Sequence, residues 1–392
     1  MKRSHQLRAL AIVELYGPKA SPTGGRLIPV AILVGDKWYD AGTYSATPRP
    51  LALDYGTVYE ALRDGTPEGF FTIGAARQQK GEWYGVGKWE SRAQLEAAEK
   101  ARSAAERERT RTLSDDDGPP RLRKPGSSDT AKPAPEAPVS SEPGGKPSSP
   151  RAEAERVHPV QPEQPITPHD LDPDRPTLRR GGSSSAKQTL ELPAESAPAA
   201  SAGGASAPAR EVLIGVSDPD GTGNTRDYRF PWKPEEEKAL KARAITLAEA
   251  ELNKYLAARA PAAKAKAKGP KSKAGGGRAT RFTKVEVAAY DLNLDNNAEL
   301  VVTGVSGDVY VTYIARTDLS FVPQKVFANV TDKDHLDAIP RMELVGPIDA
   351  EGRGRAELLF RLVSDAGYRY ALYTVFREEA FPIWKSSLYS AE

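Results

Sequence analysis

The chain contains no cysteine. Disulfides, thiolate metal sites and cysteine nucleophiles are excluded at once. Histidine is almost as scarce, with four in 392 residues. His158 and His169 stand in a proline-rich stretch, which leaves His5 and His335 as thin material for an imidazole metal or acid–base centre. No apolar run approaches the ~20 residues that cross a bilayer as a helix, so no transmembrane segment is expected. An excess of one charge is missing too. The 55 basic and 53 acidic residues leave a formal charge of +2, which argues against a global polyanion-binding surface and leaves only local ones open. The opening "MKRSHQLRALAIVELYG" carries Arg8 and Glu14 inside its apolar run and lacks a small-residue cleavage site, so it reads as a first strand and not as a secretory signal. On this reading the protein is periplasmic or exported if its true start lies upstream of Met1, and cytoplasmic otherwise.

Aromatic residues are missing altogether between Trp89 and Tyr228, and 18 of the 33 prolines fall between Gly118 and Arg210. A segment of this kind cannot bury enough apolar area to offset an ordering cost of ~1–2 kcal/mol per residue. Residues 114–210 are therefore expected to form a disordered Pro/Ser/Ala-rich linker. Before it, residues 7–89 read as an aromatic-rich β domain, a barrel or sandwich. Gly35-Asp36 and Asp64-Gly65 give hairpin signals between apolar runs. Trp38, Tyr39, Tyr44, Tyr55, Tyr59, Phe70, Phe71, Trp83, Tyr84 and Trp89 supply its core, with a ligand-binding aromatic face as the sharper alternative. Residues 90–113 have helical composition but no apolar stripe, which predicts a solvated helical extension.

After the linker, 211–392 is expected to form a C-terminal α+β domain. Pro234 followed by three glutamates marks a helix start, and Leu240, Ala244, Leu247, Ala248 and Tyr255 recur at helical spacing. Residues 259–281 carry eight basic residues and no acidic one, and their glycines and prolines forbid a stable helix. Lys264, Lys266, Lys268, Lys271 and Lys273 are candidate polyanion contacts. The competing reading is a disordered basic insertion, and nucleic acid is disfavoured because no aromatic side chain interleaves the lysines to stack on bases. The whole is expected to be mainly β with one packed helix, as two small β-rich domains on a long linker.

One stretch suggests a specific chemistry. "DLNLDNNAEL" places Asp291, Asn293, Asp295, Asn297 and Glu299 at alternate positions between two apolar runs. Calcium takes six to eight oxygens at about 2.3–2.6 Å, and such a loop supplies them: side chains from Asp291, Asn293 and Asp295, the backbone carbonyl of Asn297, and Glu299 to close the site. Asn296 stands where glycine is usual, and asparagine is the next best residue for a left-handed conformation. A plain polar turn is the competing reading. A strand, not a helix, follows, so an EF-hand is excluded. The spacing resembles the calcium loop of FG-GAP or VCBS-type β repeats, which implies blade-like sheets and a bound calcium. The wider layout is similar to bacterial exported proteins that join two small β domains through a Pro/Ala-rich tether.

The same unit recurs further along the chain. Asp349 opens "DAEGRGRAELLF" as Asp291 opens the first loop, Ala356-Glu357-Leu358 repeats Ala298-Glu299-Leu300, and one inserted residue aligns "DVYVTYIA" with "GYRYALYT". In the second copy Arg353 and Arg355 replace Asp295 and Asn297, which predicts a cage neutralised by Arg353 against Asp349 and Glu357 instead of by a metal. Two units cannot close a propeller, so an open sheet or sandwich with the 234–258 helix packed on it is expected. "DPDGTGN" at 218–224 has a poorer version of the same pattern and reads as a loop.

No phosphate-binding or dinucleotide loop is present, and "GVSGD" at Gly304 does not have the spacing of a nucleophile elbow. His335 reads as a loop histidine. No catalytic residue is assigned. The leading expectation is a non-enzymatic binding or structural protein with a calcium-stabilised loop, its partner a protein or a cell-envelope polymer. The alternatives are a hydrolase acting on a polymer and a cytoplasmic adaptor that holds a polyanion through its basic insertion.

Overall fold

Leu7–Tyr16 (β1) and Gly24–Val34 (β2) pair antiparallel along their whole length in a computed structural model that describes residues 7–18, 22, 24–114, 178, 211–218, 226–259 and 280–390. Lys37–Asp40 (β3) hangs on β2 through the two-residue turn at Gly35-Asp36. Val58–Arg63 (β4), Thr66–Gln79 (β5) and Glu82–Ser91 (β6) follow as a meander. β6 returns to β2, and Glu211–Ser217 (β7) enters between β1 and β4. The order β1-β7-β4-β5-β6-β2, with β2 paired back to β1, closes a six-stranded antiparallel barrel.

Two expectations change here. Glu211–Ser217, read as the opening of the C-terminal domain, instead completes the sheet of the N-terminal one. The run "EVLIGVS" is apolar on both faces because both are covered: Leu213 joins the barrel interior with Tyr59 and Phe71, and Ile214 and Val216 join the layer outside it. Leu178, inside the stretch assigned to the linker, is buried in the same barrel interior. Apart from Ser114 at the end of the helix described next, the rest of the linker lies outside the described residues, as do residues 260–279 of the basic insertion.

Arg92–Ser114 (α1) continues from β6. A reciprocal cap starts it: the Gln94 N–H donates to Ser91 Oγ at 3.3 Å, and the Ser91 N–H donates to Gln94 Oε1 at 3.0 Å. Its described side chains are nearly all exposed, as a helix without an apolar stripe should be. The chain divides into two units, Met1–Ala98 with Pro176–Glu392, and Glu99–Arg175, whose described part is α1 from Glu99 onward.

The remaining strands form two four-stranded meanders: Lys284–Tyr290 (β8), Glu299–Ser306 (β9), Val309–Thr317 (β10) and Pro323–Asp332 (β11), then Arg341–Ile348 (β12), Glu357–Ser364 (β13), Gly367–Phe376 (β14) and Glu379–Lys385 (β15). Their central hairpins, β9–β10 and β13–β14, repeat at one constant offset, the same that carries Asp291 to Asp349, while the outer strands slip by one residue. Leu300 faces Ala315 as Leu358 faces Tyr373, and Ser306 faces Val309 as Ser364 faces Gly367. The one-residue insertion assumed from the sequence is not there. Both central hairpins have two-residue turns, and turn length sets register. Even the bulge recurs, between Ile314 and Ala315 in one sheet and between Leu372 and Tyr373 in the other.

The two sheets, here called blades, stack front to back. Leu300 and Tyr313 of the first sheet face Pro234–Arg259 (α2), while their equivalents Leu358 and Ala371 face the first sheet. Val301 and Ile314 face the second sheet, while their equivalents Leu359 and Leu372 face the outside of the barrel. The central strands β9, β10, β13 and β14 therefore bury both sides, which explains the unbroken "LVV" and "LLF". Stacked repeats need a cap at each end. Here α2 caps the first blade, with Ala244 and Ala248 letting its backbone come close, and the barrel caps the second.

The barrel and the blades also share hydrogen bonds. The Tyr228 N–H donates to the Asp64 carbonyl at 2.9 Å and the Tyr290 hydroxyl to its carboxylate at 3.1 Å. Asp64 and Gly65 sit in this turn with φ of 51° and 85°, and a Cβ on Gly65 would lie 2.0 Å from the Arg226 carbonyl oxygen, so only glycine fits. With β7 buried in the barrel and followed by the blades, an engineered protease cut between residues 130 and 131 should leave two fragments that co-elute in native size-exclusion chromatography and separate only in denaturant. Fragments that part under native conditions would show two independent domains.

Candidate functional site

The paired loops at the β8–β9 and β12–β13 connections are built by one rule: a carboxylate at each end folds the chain onto itself. In the first, Asp291 Oδ1 accepts the Asp295 N–H at 3.0 Å, and Oδ2 accepts the Asn296 N–H at 3.2 Å. Glu299 Oε2 accepts the Leu292 N–H at 2.9 Å. In the second, Asp349 accepts the N–H groups of Arg353 and Gly354 at 2.8 and 2.7 Å, and Glu357 accepts that of Ala350 at 2.9 Å. Each of these bonds in the first loop has its counterpart at the equivalent position of the second. The turns agree as well. Leu294 and Asn296 have φ of 58° and 61°, and their equivalents Gly352 and Gly354 have 70° and 80°. Asparagine tolerates that region, whereas leucine is an outlier in it.

The loops differ in what faces the closing glutamate. Arg316 on β10 is register partner to Glu299. Its Nε donates to Glu299 Oε1 at 3.1 Å, and its Nη2 pairs with Asp295 Oδ2. The equivalent position on β14 is Thr374, so Glu357 faces no guanidinium there. The sequence missed Arg316 because it lies on the far strand of the β9–β10 hairpin and reaches the loop only through strand pairing; a basic residue at the end of an otherwise apolar β10 was the sole local signal.

Asn293 Nδ2 donates to Glu299 Oε1 at 3.3 Å and to the Val375 carbonyl at 3.2 Å, tying the first loop to the second blade. Asn297 donates its N–H to Asp295 Oδ1 at 3.1 Å. The five predicted ligands thus come together in one loop, and the oxygen-rich set suits a hard cation. In this arrangement, however, Arg316 supplies the positive charge between Asp295 and Glu299. Among the described residues no group of three or more His, Asp or Glu side chains is placed to hold a metal. A calcium ion held by these oxygens would have to take the place of the Arg316 guanidinium between Asp295 and Glu299.

In the second loop Arg353 pairs with Glu351 at 2.8 Å, not with Asp349 and Glu357 as expected. Asp349 is already satisfied by backbone N–H groups, and its carbonyl accepts Arg8 Nη2 from β1 at 3.0 Å. Arg8 in turn pairs with Asp218 at 2.6 Å, the described residue of the "DPDGTGN" loop. Lys264, Lys266, Lys268, Lys271 and Lys273 lie outside the described residues. The end of that insertion is pinned at Thr280, whose two backbone groups exchange hydrogen bonds with Asn253 at 2.9 and 3.0 Å. His335 packs against Asp332 at 2.5 Å and beside Arg259, a structural contact at the start of a loop.

Both closing glutamates are buried, Glu299 at 0 % and Glu357 at 7 % exposure. Burial lifts Glu299 to about 7, against the opposing pull of the Leu292 N–H and Arg316. Burial lifts Glu357 to about 8, with the charges of Glu351 and Asp349 adding to it and the Ala350 N–H opposing. A carboxyl raised this way in the folded state binds more protons folded than unfolded between pH ~4.5 and ~8. Its contribution is full below that window and lost as pH rises through it. Glu357→Gln should therefore gain stability relative to wild type as pH rises from 5 to 8, the difference growing by up to ~1.4 kcal/mol per pH unit. Urea unfolding at several pH values measures it, and a difference independent of pH would show that Glu357 is charged in the fold.

The chain matches no family model, no curated protein and no solved structure, so the geometry of the blades and their loops carries the functional reading.

Proposed function

We propose that the protein is a non-enzymatic binding or structural protein built on two FG-GAP- or VCBS-like blades, capped by a helix and a barrel. The carrying observation is the pair of loops: the same carboxylate-to-amide bonds at equivalent positions of the two blades, with the closing charge supplied once by Arg316 and once left to Glu357 alone. Nothing in this arrangement requires turnover. The loops share one end of the blade stack with the β10–β11 loop and the β14–β15 turn, as the Asn293–Val375 and Ala356–Leu292 hydrogen bonds require. That end presents Leu294, Leu319, Phe321 and Phe376 to solvent, an apolar rim of the kind that marks protein contact surfaces.

Calcium enters as a competitor of Arg316. The donor oxygens of Asp291, Asn293, Asp295 and Glu299 become available to an ion only when the guanidinium leaves. Arg316→Met should cost on the order of 3 kcal/mol without calcium, because Glu299 would then be buried without its cation. The variant should recover stability as calcium is added, by ~2.7 kcal/mol at a hundredfold excess over Kd. Wild type should respond less at the same concentrations. Thermal melts of both proteins, with chelator and with millimolar calcium, read this out. Melting curves indifferent to calcium in both proteins would remove calcium from the reading and leave the loops as carboxylate-braced turns.

A further inference from the structure

Away from the loops, the last two turns of α2, the edge strand β11 and the start of β12 line an open cavity of about 560 Å³. That volume is within the range of small-molecule sites, ~300–1,000 Å³. Its floor is apolar and fixed. Met342, Leu362 and Tyr373 are buried at 5, 3 and 6 % exposure, and Phe327 meets Tyr373 edge to face at 5.7 Å. Its walls are tied down independently of any ligand. Asn329 Nδ2 donates to the Pro340 carbonyl at 2.9 Å, and the Tyr255 hydroxyl donates to Asp332 at 2.9 Å. Ile339 stands on the wall with 44 % of its surface exposed.

The charges on the lining are lopsided. The one carboxylate there, Glu251, is neutralised by Lys325 at 2.7 Å. Lys254 and Lys385 also line the cavity and are exposed, and their ammonium groups make no ion pair or hydrogen bond among the described residues. A preformed apolar pocket with two unpaired ammonium groups complements a ligand with an apolar body and one anionic end. The hydroxyl of Tyr373 likewise has no hydrogen-bond partner among the described residues. We infer that this cavity binds an amphipathic monoanion, an acyl or aryl carboxylate whose chain lies on Phe327 and Tyr373 and whose carboxylate sits between Lys254 and Lys385.

Isothermal titration of the full chain with laurate tests it, using dodecyltrimethylammonium as the cationic counterpart with the same tail. One laurate per chain should bind. The double variant Lys254→Glu/Lys385→Glu should weaken it at least ~tenfold, since like charges then face the carboxylate, and Ile339→Glu, a surface change that leaves the fold intact, should weaken it too. The cationic detergent should not bind wild type at matched concentration. Deleting 264–273 should leave laurate binding unchanged. Absence of laurate binding, equal binding of the cation, indifference to the lysine reversals, or loss on deleting 264–273 would each overturn the assignment. The Arg316→Met and calcium experiments do not touch this cavity, so the two readings fail separately.

Discussion

One short strand, Glu211–Ser217, holds the molecule together. Without β7 the barrel is an open sheet in which β1 and β4 have unpaired edges, and such edges pair with whatever strand is available. With it, the barrel closes, its interior around Tyr59 and Phe71 is sealed, and its outer face presents Leu10, Ile12, Ile214 and Val216 to the second blade. The strand comes from far along the chain, so closure joins the two β regions in one cooperative unit.

The same constraint explains how two blades are stable without a ring. Each meander is apolar on both faces and would aggregate if either face stayed open. Front-to-back stacking leaves one face at each end, and the chain covers them with unrelated elements, α2 on one side and the barrel on the other. The α2 cap uses alanines at its centre where a flat helix-on-sheet contact is needed, and it places Tyr255 and Arg259 beside Asp332 at the far end of β11.

Divergence between the two blades is concentrated where charge is closed. Strand order, the two-residue turn of the central hairpin, the bulge beside it and the amide-accepting carboxylates are retained, and turn and bulge set the register of the next strand. The residue opposite the closing glutamate is free of that constraint. Arginine there makes a charge-assisted pair, and threonine leaves a carboxyl that burial drives toward its neutral form. Loops of one geometry thus close their charge in two different ways.

Local chemistry was legible without coordinates. Apolar runs, the Gly35-Asp36 and Asp64-Gly65 turns, Pro234 with its glutamates, and the repeat of Asp291 and Glu299 at Asp349 and Glu357 all follow from forces that act within a few turns of chain. The repeated unit and the packed helix were legible too, but where an open sheet or sandwich was expected the two units form separate four-stranded sheets. What the tertiary structure alone decided is everything that depends on pairing across long separations. "EVLIGVS" reads as a buried strand, but nothing in it says which sheet will bury it. Leu178 looks like one leucine in a proline-rich stretch until the barrel interior is assembled around it. The loop at Asp291 looks like a cation site because its oxygens are adjacent in sequence. Its cation, Arg316, arrives from the neighbouring strand, at a distance that only hydrogen-bonded register can close.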